Sequence, residues 1–256
     1  MRKSIAVLLL AAVAGISPAV ALAVPITVPP SLSPGEQYRL AFRTGARTNA
    51  LSSDIEFYNA FVTNVANTVP QLAQLGTTWK IIGSTSAVDA TENTSTNPSS
   101  SVGVSIFRLD GALVASSNAD LWDGSIGAEI STFENGEFIN PTGAFPSPSV
   151  WTGTNADGYS AGIFVLGGSI HASIIGVIGF GGGDDWIVWD SDTKTSLKSV
   201  YAISGVLTVV PEPGSMVLAL IAAAGFASVT ILRVGKRGIR YLARSSARTV
   251  RPIPKT

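Results

Sequence analysis

The sequence predicts an α+β protein with β in excess, a single β-rich domain over residues 36–209 followed by one C-terminal transmembrane helix. Three observations carry this. Helical periodicity occurs once in the body, over residues 53–67. Short apolar runs separated by glycine-rich turns follow it to residue 209. With no Cys among 256 residues, the domain must be held by packing alone, and 46% hydrophobic against 13% charged residues gives it the material to do so. An all-β sandwich explains the same strand pattern and stays open at this point.

The elements follow in order. Residues 24–35 are proline-rich and read as a linker. Residues 53–67 form the best helix: Ser53 and Glu56 have capping-box spacing, and Ile55, Tyr58, Val62 and Val65 fall on one face. Residues 77–87 read as a strand and 91–101 as a polar Ser/Thr/Asn loop. Val102, Val104 and Ile106 alternate with Gly103, Ser105 and Phe107, as in a half-buried strand. Asp110-Gly111 between apolar runs signals a hairpin. Further strands are expected at 163–166, 170–180, 186–189 and 200–209.

The formal charge of zero hides a division. All 17 acidic residues lie between Glu36 and Glu212, and that stretch carries −10; the residues beyond 232 carry +8. An acidic body repels nucleic acid, which excludes it as a partner. The single His, His171, excludes a multi-histidine metal site, and the lack of Cys excludes a thiol nucleophile.

Both ends are addressed to a membrane. Residues 1–23 have the order of a secretory signal peptide: Arg2 and Lys3, an apolar stretch over 5–16, then Ala21-Leu22-Ala23 as an A-x-A cleavage site. Residues 215–232 are 18 residues without a charge, enough for a helix of about 27 Å, close to the hydrocarbon core. Arg233, Lys236 and Arg237 follow directly and, by the positive-inside rule, keep residues 233–256 cytoplasmic and the body outside. Arg240, Arg244 and Arg248 continue as a basic stripe suited to anionic lipid. Before the apolar run, residues 210–214 include Pro211, Glu212 and Pro213, a stiff, extended, protease-accessible spacer.

This ordered trio of Pro-Glu-Pro, apolar helix and basic cluster resembles the PEP-CTERM sorting signal of exported bacterial proteins. The resemblance implies an exosortase as partner, cleavage near Pro211, Glu212 and Pro213, and delivery of the body to the cell surface or an exopolysaccharide matrix. Family tails usually stop soon after the basic cluster, whereas residues 238–256 continue here.

Within the body, Tyr58-Asn59-Ala60-Phe61-Val62, Gly76-Thr77-Thr78-Trp79-Lys80-Ile81-Ile82, Phe107-Arg108-Leu109-Asp110-Gly111 and Asp120-Leu121-Trp122-Asp123-Gly124 occur in order. Val150-Trp151-Thr152-Gly153-Thr154 and Val200-Tyr201-Ala202-Ile203 follow. The series resembles bacterial secreted domains with the endostatin-like variant of the C-type-lectin-like fold, over residues 38–207. Such domains typically carry structural cysteines, and this chain has none. The resemblance implies a binding or matrix domain and transfers no ligand residue.

Four constellations bear on chemistry. Gly158-Tyr159-Ser160-Ala161-Gly162 matches G-x-S-x-G, but no acid lies between Ser160 and His171, and the glycine-rich flanks argue against the helix an elbow needs. Gly181-Gly182-Gly183 is followed by Asp184 and Asp185, which repel phosphate, so it reads as a turn. Asp184, Asp185, Asp190 and Asp192 surround Trp186 and Trp189: carboxylates suit Ca²⁺ and indole faces stack on sugars, so this cluster is the candidate ligand site. The competing account puts the acids in solvated turns and at least one Trp in the core, since residues three apart on a strand face opposite ways. Asp120, Asp123, Glu129, Glu134 and Glu137 supply carboxylates for a glycosidase pair, with solvated surface as the default.

The expectation is therefore a non-catalytic surface or matrix protein with no required cofactor. A lectin-like module binding polysaccharide, directly or through Ca²⁺, is the first alternative, and a secreted hydrolase the second.

Overall fold

A computed structural model of the chain describes residues 25–139, 149–179 and 182–211. Residues 1–23, the apolar run 215–232 and the basic tail lie outside this set. Among the described residues no helix is long and apolar enough to cross a membrane. The chain divides into two compact units, one comprising the residues up to Pro30 with Tyr38–Leu207, the other Ser31–Gln37 with Thr208 onward. In the smaller unit the Gly35 N–H donates to the Val209 carbonyl at 2.8 Å and the Val209 N–H to the Glu36 carbonyl at 2.9 Å.

The larger unit is β-rich, with one mixed sheet and few helices. Inside it, β1 (Gln37–Arg43) runs parallel to β3 (Ser105–Arg108) and antiparallel to β8 (Ser199–Ser204). The sheet continues outward from β3 to β4 (Leu113–Ala115). On the far edge of β8, β5 (Ser149–Trp151) pairs in parallel at Ser199 and Val200, and β2 (Trp79–Ile81) pairs antiparallel at Ala202, Ile203 and Ser204. Beyond β5 lie β6 (Ala172–Val177) and then the edge strand β7 (Asp190–Thr193).

The sheet is covered on both faces. Helix α1 (Ile55–Asn67) buries Ile55, Tyr58, Val62 and Val65, the face the periodicity predicts, and packs on β2 and β8. Phe42 and Trp79 meet edge to face beneath it, with centroids 5.0 Å apart. The cap is Asp54 rather than Ser53: its carboxylate accepts the Glu56 N–H at 3.0 Å, and a negative cap suits the positive helix end. The other face is covered from loops. Trp122, Ile126, Ile130, Trp186 and Ile187 close over Ala41, Ile106, Tyr201 and Ile203.

Several predicted elements are corrected. Of residues 77–87 only Trp79–Ile81 are strand; past them the chain turns at Gly83, where an added Cβ would lie 3.0 Å from the Thr152 carbonyl oxygen. The polar loop over 91–101 begins as a short helix, α3 (Ala90–Thr94), following the four-residue helix α2 (Pro70–Ala73). Asn93 is buried because its amide bonds to Asn59 and to the Ile81 carbonyl; the buried Thr94 hydroxyl donates to the Ala90 carbonyl, and buried Thr91 is held through its backbone N–H to the Gly158 carbonyl. The strand expected from Val102 starts at Ser105; Val102 is 79% exposed, and Ile106 and Phe107 are both buried because both faces of β3 are covered. Residues 163–166 and 186–189 are not strands. Each lies at a single 3₁₀ turn, Gly162–Phe164 and Asp184–Trp186. The Asp-Gly hairpin is present: Arg108 N–H donates to the Ala112 carbonyl at 2.9 Å around Gly111, at φ 85°. In β1, Arg39 and Arg43 give one face the pattern of a solvated surface, yet both are buried.

Candidate functional site

The acidic cluster around Trp186 and Trp189 is assembled from two elements. In the Asp184–Trp186 turn, the Asp184 carbonyl accepts the N–H groups of Ile187 and Val188 at 3.0 and 2.9 Å. The turn drives Trp186 into the core at 1% exposure, its ring 6.1 Å from Trp122 and 5.8 Å from Tyr201. A ring so enclosed has no face for a sugar, which removes Trp186 from the candidate ligand residues. Trp189 then joins the sheet, donating its N–H to the Ile175 carbonyl at 2.8 Å, and its side chain is 42% exposed. The two indoles are separated as a strand would separate them, but by a tight turn ahead of the strand.

Asp190 and Asp192 stand two residues apart on β7 and therefore share a face. Asp192 is committed. Its carboxylate lies 2.6 Å from the Lys198 ammonium and accepts the Thr193 N–H at 2.6 Å. Lys198 holds its carboxyl below the usual carboxylate range, and the backbone contact adds to that. Lys198 in turn donates to Ser149 Oγ at 2.9 Å and lies 5.4 Å from the centre of the Trp151 ring. A cation at Asp190 and Asp192 must compete with this ammonium. Asp184 and Asp185 sit on the preceding turn, and among the described residues no three His, Asp or Glu side chains converge as metal ligands. The structure thus brings Trp189, Asp190 and Asp192 to one sheet edge.

The other candidates hold the fold together. Ser160 lies in an antiparallel bridge with Thr154, its N–H donates to the Asp89 carboxylate at 2.7 Å, and a 3₁₀ turn follows. That is not the strand–turn–helix of a nucleophile elbow. His171 is exposed at the start of β6, where its carbonyl accepts the Lys194 N–H. Asp120 accepts from Ser116 N–H and Oγ at 2.6 and 2.8 Å, and these bonds lower its pKa. Asp123 accepts from the Ser125 N–H at 3.0 Å, Glu129 from the Gly179 N–H at 2.9 Å and Glu134 from the Gly45 N–H at 2.8 Å. Asn135 links to the Glu137 carboxylate at 3.5 Å. These carboxylates secure turns and chain crossings.

Two buried polar groupings escaped the reading of the sequence. Asn59 and Asn93 pair their amides, and Arg43 faces Tyr201 across β1 and β8. The only local signal for the second was a cation alternating with apolar residues in 37–43.

Pro211 is exposed, two residues after the last pairing at Val209. Glu212, Pro213, Ala21, Ala23, Arg233, Lys236 and Arg237 lie outside the described residues. No family model matches the chain, and no curated protein matches it.

Proposed function

We propose that this protein is an exported bacterial surface or exopolysaccharide-matrix component with a non-catalytic, structural or adhesive role. It reaches the inner membrane through residues 1–23, is held by residues 215–232 with its body outside, and is processed by an exosortase. The carrying observation is the order Pro211-Glu212-Pro213, an 18-residue uncharged run, then Arg233, Lys236 and Arg237. Exposure of Pro211 just past the folded residues supports access by a protease. The use of Asp120 and Asp123 in turns and of Glu129 and Glu134 at chain crossings supports a structural rather than a hydrolytic body. One connected mixed sheet, with β1 parallel to one neighbour and antiparallel to the other, favours the lectin-like architecture over a sandwich of two antiparallel sheets.

Intact-mass measurement on the protein from its native host, by cell fraction, tests this. A species beginning at Val24 and ending between Pro211 and Gly214 is expected in the surface or matrix fraction. A single membrane-bound species retaining residues 215–256 overturns the sorting reading and leaves a stably anchored protein.

A second reading, a glycan-binding module, rests on Trp189: an indole 42% exposed at the sheet edge formed by β7. An exposed indole face stacks on a sugar ring. A matching glycan from a panel of bacterial polysaccharide fragments then raises the melting temperature by mass action on the folded state. Trp189→Ala removes that rise while leaving the unliganded melting temperature within about 2 °C, the scale expected of a surface substitution. A panel with no shift, with or without Ca²⁺, eliminates the reading.

A further inference from the structure

The face of β1 bearing Arg39, Ala41 and Arg43 carries two buried guanidinium groups in opposite situations. Arg39 donates to the carbonyls of Thr94, Ser204 and Ser95 at 2.7, 3.1 and 3.4 Å. Arg43, four residues along and 3% exposed, has no partner for Nε or Nη1. Its register partner on β8 is Tyr201, directly opposite and on the same face, wholly buried and with an unpartnered hydroxyl. The ring of Trp186 lies 5.8 Å from that of Tyr201, and its indole N–H is unpartnered too. Thr132, whose carbonyl takes the Arg43 backbone N–H at 2.9 Å, has an unpartnered hydroxyl. Among the described residues six buried side-chain polar atoms lack a partner, and five belong to these four adjoining residues.

The chemistry of the five is one-sided. Guanidinium and indole nitrogens only donate, and both hydroxyls can donate as well. What is wanting is an acceptor, and one that carries charge. Burial pulls the Arg43 pKa down only to about 10, so the side chain stays cationic at neutral pH. Neither the Arg108–Asp110 nor the Lys198–Asp192 ion pair involves it. Phe133, with its ring centre 5.9 Å from the guanidinium carbon, offers a π face but no lone pair. Arg47 adds a second positive charge, whose repulsion opposes protonation of Arg43. Glu129 raises the Tyr201 pKa through space, so its charge opposes an anion at that hydroxyl, but less than Arg43 favours one; Glu134 takes the Gly45 N–H. A neutral water would satisfy one or two donors and leave the buried charge uncompensated.

We propose that Arg43, Tyr201 and Trp186 form an internal binding site for a small inorganic anion of halide size. A spherical anion accepts from whichever directions the donors present and needs no planar fork to match. The bound ion neutralises Arg43 and links the central strand pair to the loop layer that carries Trp186.

The test uses the full chain in detergent. Crystals grown in bromide should show an anomalous peak within hydrogen-bonding distance of Arg43 Nε or Nη1 and Tyr201 Oη. Water density there without anomalous signal overturns the proposal. In solution, chloride or bromide should raise the melting temperature above that in methanesulfonate at equal ionic strength, saturably and by about 3 °C. Arg43→Met removes the charge with little change in volume and should abolish the increment. Equal melting in the salts, or an increment retained by Arg43→Met, overturns the site. Should that variant fail to fold, the anomalous map and the wild-type salt comparison still decide.

Discussion

Gly176→Ala is expected to destabilise the protein by about 4 kcal/mol, among the largest effects of any single methyl addition to this chain. Gly176 lies in β6, and the Asp184–Trp186 turn packs directly upon it. A Cβ there would stand 1.9 Å from the Trp186 carbonyl oxygen, 2.6 Å from its carbonyl carbon and 3.0 Å from Ile187 Cα. All three are backbone atoms, so no rotamer change relieves the overlap. The turn must retreat, and Trp186 must leave its place between Trp122 and Tyr201. Losing a buried indole from a core costs about 3–5 kcal/mol. A melting temperature lower by about 10 °C, with indole fluorescence shifted toward that of a solvated ring, is the expected result. A change below about 1 kcal/mol would mean that the turn does not rest on β6, and with it would go the burial of Trp186.

Asn59→Leu is expected to cost about 3 kcal/mol although leucine is similar in size and more apolar. The Asn59 amide accepts the Ile81 N–H at 3.1 Å and donates to Asn93 Oδ1 at 2.9 Å. Asn93 returns a bond to Asn59 at 3.0 Å and donates to the Ile81 carbonyl at 2.8 Å. The two side chains thus hold both polar groups of one strand residue and tie α1, α3 and β2 together. Leucine at 59 orphans the Ile81 N–H and the Asn93 oxygen in a buried site, where each unmade bond carries its full desolvation cost. Urea denaturation of Asn59→Leu, Asn93→Leu and the double variant measures this. The double variant should lose at least 1 kcal/mol less than the two single losses combined, because the mutual amide bonds can be broken only once. Additive losses would show that the amides act separately.

What was legible in the sequence was local. The buried face of α1 could be read because all its members fall within eleven residues and repeat at the helical period. The hairpin at Gly111 could be read because its turn chemistry sits in two adjacent residues. Polar residues buried by distant partners were not legible. Asn93 looks like loop, and Arg39 and Arg43 look like surface, until Asn59, Thr94 and Ser204 are known to lie beside them. The candidate ligand cluster divided for the same reason: residues 184–192 alone do not reveal that Trp186 has a slot against Trp122 and Tyr201, while Trp189 stays 42% exposed.

By itself the sequence determined the β-rich composition of the body, its one long amphipathic helix, the separation of acidic body from basic tail, and the exclusion of thiol and multi-histidine chemistry. Those properties follow from composition and from patterns shorter than about twenty residues. The tertiary structure decided which arginines and asparagines enter the core, which tryptophan remains at the surface, and which carboxylates are bound up in turns. Most buried polar side chains need a partner, and here those partners come from strands and loops up to 165 residues away.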